Sequence, residues 1–151
     1  MIPFSKLNLT DVIFTHIDDK TNKHYHYAIS RIRPQLANGL MKGWAKPTKV
    51  PVEEEVAKFC ITNRGVELHR IMKLLPAKLP YEPIIFAEMG DGTHLLLDGT
   101  HRYVVSALRK LPDILAIIIN NKHRKRFLIK DFPFPDERDV ETLTKSFSGI
   151  F

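Results

Sequence analysis

Five consecutive residues, Asp98-Gly99-Thr100-His101-Arg102, carry the side chains best suited to chemistry in this sequence. The arginine offers a rigid fork of donors that matches a phosphate, and the glycine lets the backbone bend sharply and approach a ligand. Backbone amides at the start of a helix also bind anions. The motif therefore predicts a phosphate site in which Gly99, Thr100, His101 and Arg102 hold the phosphates. Asp98 and His101 are the candidate catalytic residues, with Asp98 orienting the loop, acting as a base or binding a metal ion.

The elements on either side of the motif are those that must position it. An apolar run predicts a strand over 94–97, and helical periodicity predicts an amphipathic helix over about 100–110. Thr100 is expected at the N-cap, so the amides of the next three residues should face the turn. Replacing Arg102 with Ala should then weaken ligand binding and leave the free protein nearly as stable. In the simplest alternative, Asp98 and Thr100 only cap the helix while His101 and Arg102 face water.

The same residues resemble the signature of the ParB/sulfiredoxin superfamily, in which glycine, a variable residue, histidine and arginine join a strand to a helix. Residues 82–86 look like the family strand before the motif, and 114–119 like the strand after its helix. The resemblance covers about residues 80–120, with a weaker similarity at 2–7. It implies a mixed sheet with packed helices, with a nucleotide's phosphates held by His101 and Arg102. ATP or another nucleotide is the implied cofactor, with Mg²⁺ as an optional companion.

The resemblance leaves the reaction open. Sulfiredoxin needs a cysteine nucleophile where this chain has Thr100, and Cys60 lies in unrelated helical sequence, so sulfinic-acid repair is not expected. Kinase-like or phosphohydrolase activity is the first hypothesis. The relatives that resemble amino-acid kinases use a separate catalytic glutamate, which the sequence does not single out among five candidates: Glu53, Glu54, Glu55, Glu82 and Glu88.

The remaining pattern predicts an α/β (α+β) fold with a single domain over 1–151. Strands are expected at 12–17, 25–32, 84–87, 94–97 and 114–119, with 114–119 in the middle of the sheet and a hairpin turn at 89–93. Residues 33–51 are expected to form a loop with a helical turn near 35–41, and further helices are expected at 52–60, 66–75 and 136–143. The helices at 52–60 and 66–75 should bury Val52, Val56, Phe59 and Cys60, and Leu68, Ile71, Met72 and Leu75.

Composition limits the class of protein. The 151 residues are 44% hydrophobic and 26% charged, which is typical of a globular domain. The sequence has no signal-peptide pattern and no apolar run near the roughly 20 residues that span a bilayer, so we expect a cytoplasmic protein without a membrane partner. A single cysteine and no zinc-type spacing predict no metal site. The oligomeric state is not indicated.

A net charge of +6 and a pI near 9.5 are compatible with nucleic acid as a second kind of partner. Four cations in one run form the candidate nucleic-acid site: Lys122, Arg124, Lys125 and Arg126. Trp44 among lysines could stack on a base, although packing on the core is the favoured interpretation. The second hypothesis is therefore a nucleic-acid-binding protein or ParB-like nuclease, with binding favoured over cutting. The third is a non-catalytic interaction module of a phage or mobile element.

Overall fold

The computed structural model of the chain describes residues 1–133, so the predicted helix at 136–143 lies outside the described residues. The described chain divides into two compact units, one formed by Leu36–Arg124 and the other by Met1–Gln35 with residues 125–133. The α/β class is confirmed, because both helices and mixed sheet are present. The expectation of one domain over 1–151 stays a prediction. No helix within residues 1–133 is long and apolar enough to cross a membrane.

Strands and helices are each numbered in chain order. The strands are β1 (Ile2–Pro3), β2 (Ile13–Ile17), β3 (His24–Ala28), β4 (Ala45–Pro51), β5 (Ile84–Glu88), β6 (His94–Asp98), β7 (Asp113–Ile119) and β8 (Ile129–Lys130). The α-helices are α1 (Leu36–Lys42), α2 (Glu54–Arg64), α3 (Leu68–Leu74), α4 (Thr100–Leu108) and α5 (Asn121–Arg124). Most predicted elements are confirmed to within a few residues.

In the smaller unit, β2 and β3 form the predicted antiparallel pair, and β1 runs parallel to β8. The predicted strand at 25–32 ends early, because the chain turns at Ala28 into a 3-10 helix over Ile29–Arg31. Arg31 holds the preceding loop by donating from Nε and Nη2 to the two carboxylate oxygens of Asp11, each at 2.7 Å. This bidentate ion pair fixes the entry to β2.

The larger unit is built on a four-stranded sheet in the order β4-β7-β5-β6. Strands β5 and β7 are parallel, and the other two pairings are antiparallel. The predicted central position of 114–119 is confirmed, since β7 lies between β4 and β5. Strand β4 occupies residues predicted as loop. Its prolines, Pro47 and Pro51, obscured the strand pattern, and both are tolerated because β4 is at the edge of the sheet.

Helix α4 packs against α2 and α3, and the three helices share one hydrophobic core with the sheet. Cys60 and Ile71 are buried there as predicted. Burial was predicted wrongly for three other apolar residues of α2 and α3: Phe59, Leu68 and Met72 are 59%, 70% and 63% exposed. The faces that meet the core run instead through Ala57 and Cys60 on α2 and through Ile71 and Leu74 on α3.

Candidate phosphate site

The motif joins β6 to α4 through a bend that requires glycine. Gly99 has φ +107°, a conformation that L side chains rarely adopt, and a Cβ atom there would lie 2.7 Å from the Cβ of Ile84 on β5. The predicted strand, sharp turn and helix are therefore confirmed. The same glycine allows close packing between the turn and the neighbouring strand, which is a role that the sequence did not indicate.

The predicted cap at Thr100 is wrong. Gly99 takes the N-cap position, without a capping side chain, and Thr100 is the first helical residue. The N–H of Tyr103 donates to the carbonyl of Gly99 at 2.9 Å, so one of the three amides predicted to face the turn is used inside the helix. Without a side-chain cap, the start of α4 keeps its affinity for an acceptor such as an anion.

Thr100 instead accepts a hydrogen bond from Arg64, the last residue of α2, with Nη1 and Oγ1 3.3 Å apart. Burial lowers the pKa of Arg64, because the charged guanidinium is partly removed from water. The structure thus brings a second arginine to the start of α4. The sequence did not indicate this arginine, because Arg64 and Thr100 are 36 positions apart and no motif links them.

His101 connects the start of α4 to the start of α3. Its Nε2 accepts a hydrogen bond from the N–H of Glu67 at 2.9 Å, so the neutral ring carries its proton on Nδ1. Partial burial lowers the pKa of His101 below the ordinary 6.5, and the positive charge of Arg70 lowers it further. At neutral pH the ring is therefore uncharged and offers an Nδ1–H donor.

Arg102 fixes the neighbouring backbone and is also a candidate phosphate-binding residue. Its Nη1 donates to the carbonyls of Glu82 and Pro83, at 2.8 and 2.9 Å, and its Nη2 lies 3.6 Å from Oδ2 of Asp98. The side chain is only 13% exposed. These contacts fix the segment before β5 and pair the two charged residues of the motif. The orienting role of Asp98 stays a prediction.

A cleft of about 280 Å³ opens where α3 meets the motif. Its lining combines four residues of α3 with three of the motif, and contains no carboxylate: His69, Arg70, Lys73, Leu74, Gly99, His101 and Arg102. Such a lining favours an anion by its charge. The sequence did not single out Arg70 and Lys73. The signal that could have found them is their spacing of three residues on a helix, which places both on one side.

Partly buried hydrogen bonds hold the helix that carries the motif. The hydroxyl of Tyr103 accepts from the N–H of Glu53 at 2.9 Å and donates to the carbonyl of Pro51 at 3.2 Å. At the other end of α4, Nη1 of Arg109 donates to the carbonyl of Ala77 and to the hydroxyl of Tyr81, each at 2.9 Å. Helix α4, which carries part of the cleft lining, is therefore fixed to the core at both of its ends.

The other sequence candidates lie elsewhere. None of the five glutamates lines the cleft; Glu54 and Glu55 pair with Lys58 on α2, and Glu88 is at the end of β5. Within residues 1–133, no three His, Cys, Asp or Glu side chains come together as a metal site requires.

The predicted nucleic-acid residues are only partly on the surface. Lys122, Lys125 and Arg126 are exposed, but Arg124 is buried and its Nε donates to Oδ1 of Asn121 at 3.0 Å. Its assignment to a nucleic-acid surface is therefore wrong. Trp44 is 3% exposed and stacks on His123 at 5.2 Å, which confirms the core interpretation over base stacking.

Comparisons with protein-family models, curated proteins and solved structures gave no match to this chain. The ParB/sulfiredoxin resemblance of the motif therefore stays a prediction, and the geometry of the cleft carries the functional argument.

Proposed function

We propose that this chain binds a nucleotide, ATP or a related one, through its phosphates in the basic cleft beside the motif. The observation that carries the proposal is the lining itself: Arg70 and Lys73 of α3 face the same cleft as His101 and Arg102 at the start of α4. A phosphate chain combines several negative charges with many acceptor oxygens, and this lining supplies cations and N–H donors. Two carboxylates lie beside the lining: Asp98 is 3.6 Å from Arg102, and Glu67 is 3.3 Å from His69.

The residues that line the cleft differ in exposure and in hydrogen bonding, and these differences suggest a role for each. Arg70 and Lys73 are exposed, so their long side chains are available to follow a phosphate chain into the cleft. His101 contributes a donor from Nδ1, because its other nitrogen is engaged with Glu67. The start of α4 adds its dipole, and Gly99 leaves room at the bend. Arg102 lines the cleft from a position fixed by backbone carbonyls.

Phosphoryl transfer or nucleotide hydrolysis is the reaction class that we assign to the cleft. Both reactions build negative charge on phosphate oxygens, and fixed cations stabilise that charge in the transition state. Asp98 is the candidate base, positioned by its ion pair with Arg102. If Mg²⁺ accompanies the nucleotide, Asp98 is also the residue of the motif with suitable oxygen ligands.

Thermal unfolding in the presence of ATP, ADP, pyrophosphate or adenosine tests the proposal. A ligand that binds only the folded state raises the melting temperature, so the three phosphate-bearing compounds should do so and adenosine should not. Arg70→Ala and Lys73→Ala should each reduce the shift. Lys49→Ala removes an equal charge from β4, outside the cleft, and should leave the shift intact.

Two results would contradict this assignment. An equal shift with adenosine and ATP would show that phosphates are not the recognised group. No shift with any of the four compounds, in a protein with a normal cooperative transition, would favour the non-catalytic interaction module.

A further inference from the structure

A second concave site lies at the opposite end of the same sheet. It is a groove of about 510 Å³, bordered on one side by Lys46 and Thr48 of β4 and on the other by Glu88 and His94 of the β5–β6 hairpin. Its floor includes Ile118 of β7. The volume is within the roughly 300–1,000 Å³ range of small-molecule sites.

The strand directions separate this groove from the phosphate site. Because β6 runs antiparallel to β5, the motif at the end of β6 lies beside the start of β5. The groove instead lies where the parallel strands β5 and β7 both end, at Glu88 and just after Ile119. In open α/β sheets, the carboxyl ends of parallel strands are the usual place for a ligand.

The strand register places opposite charges on one face of the sheet. Lys46 is paired with Ile118, and Ile118 with Phe86 on the next strand. Since side chains alternate along a strand, Glu88 shares the face of Phe86, and it is paired with His94 of β6. The central strand β7 therefore lies between a cation on β4 and an anion on β5, and on the same face apolar Ile118 lies beside Lys46 and apolar Phe86 lies two residues before Glu88. Two strand spacings set the backbones of β4 and β5 roughly 10 Å apart.

These charges are not engaged with each other or with other groups in the described part of the chain. Within residues 1–133, neither Lys46 nor Glu88 forms an ion pair. The side chain of Asn120, at the end of β7, also borders the groove and accepts hydrogen bonds from the N–H and ring of His123 at 2.8 Å. The groove thus presents one cation, one anion and an apolar strip, each at a fixed register position.

We propose that this groove binds a small zwitterion whose carboxylate and ammonium groups are separated by an aliphatic segment. Lys46 holds the carboxylate, Glu88 holds the ammonium group, and the aliphatic segment lies over Ile118. A singly charged ligand would satisfy only one of the two side chains. The proposal is independent of nucleotide binding in the phosphate site.

A series of ω-amino acids tests the separation of the charges. We would titrate β-alanine, 4-aminobutyrate and 6-aminohexanoate into ¹⁵N-labelled protein and follow amide shifts at β4 and at the 88–94 hairpin. The longest compound should bind most tightly, because its charges match the distance across β7. Hexanoate and hexylamine, which each lack one charge, should bind about tenfold more weakly, as expected for the loss of one charged contact.

Substitutions test the two charges separately. Lys46→Met and Glu88→Gln should each weaken 6-aminohexanoate about tenfold. Lys49→Met is the matched control, because Lys49 is on the same strand with the opposite facing, and it should not change the affinity. Single reversals, Lys46→Glu or Glu88→Lys, should abolish binding, and the double reversal should restore it with the ligand turned around.

Several outcomes would overturn the proposal. These are equal binding of hexanoate and 6-aminohexanoate, an equal loss in Lys49→Met, and no amide shifts with any compound. Failure of the double reversal to restore binding, in a variant whose amide spectrum shows a folded protein, would overturn it as well.

Discussion

Arg102 is where the structure changes an expectation most sharply. As a ligand-binding side chain in an open turn, it would be dispensable for stability, and the sequence predicts this. In the structure its Nη1 donates to two backbone carbonyls, and its side chain is largely buried. We therefore predict that Arg102→Ala destabilises the protein before any ligand is added.

The magnitude follows from the contacts. A hydrogen bond from a charged donor contributes roughly 1.5–3 kcal/mol, but the two bonds share one nitrogen. The carbonyl of Glu82 is also in an exposed position, where water can replace the donor. The ion pair with Asp98 at 3.6 Å adds less than about 1 kcal/mol. We expect a loss of about 2 kcal/mol in the free energy of unfolding.

Urea denaturation without ligand measures this loss. Arg70→Ala is the matched comparison, because it removes an exposed arginine from the same cleft and should change stability by less than about 0.5 kcal/mol. An Arg102→Ala variant as stable as the unsubstituted protein would refute the tethering role. The same two variants separate structure from binding: Arg70→Ala should reduce the nucleotide-induced shift without the loss of stability.

Three further predictions follow from the same contacts. Gly99→Ala should lower the free energy of unfolding by about 2 kcal/mol or more, as measured by urea denaturation, because the bend is left-handed and the new Cβ would collide with Ile84. The pKa of His101 is lowered on folding, so its contribution to stability is present above pH 6.5 and is lost as the pH falls below that value; replacing it with Gln should flatten the dependence between pH 7 and 5. Any nucleic-acid binding, measured by fluorescence titration, should weaken steeply with salt and disappear when the charges of Lys122, Lys125 and Arg126 are reversed. Binding that persists at high salt would contradict this.

The sequence predicted the motif unit well because its signals are local. An apolar run, a glycine and a helical period follow one another within about 15 residues, and the structure contains the strand, bend and helix in those places. Strand β4 was missed because strand propensity is weak at an edge that carries Pro47 and Pro51. Its pairing with β7 is a contact between residues more than 60 positions apart, which no local pattern encodes.

The lining of the cleft also depends on contacts that no local sequence pattern encodes. The motif supplies only part of its lining, and the sequence identified that part. Arg70 and Lys73 belong to α3, whose expected apolar stripe was wrong at Leu68 and Met72. Successive side chains of a helix are 100° apart around its axis, so a small error in the predicted facing of α3 hides which of its cations line the cleft. The helix predicted at 66–75 was correct. Its contribution to the cleft lining depends on its tertiary contact with α4.

The two candidate sites share one sheet and are held apart by it. The phosphate site follows the last residue of β6, whereas the groove includes the first, His94, so the length of the strand, about 14 Å, lies between them. Between the two ends, β6 is buried, and it is fixed by its register with β5. A ligand in the phosphate site contacts side chains of α3 and α4. A ligand in the groove contacts side chains of other elements, among them β4 and β7. Coupling between sites requires an element with two arrangements, whereas the shared strands are buried and paired in one register. Each site should therefore bind its ligand with an affinity that does not depend on the other.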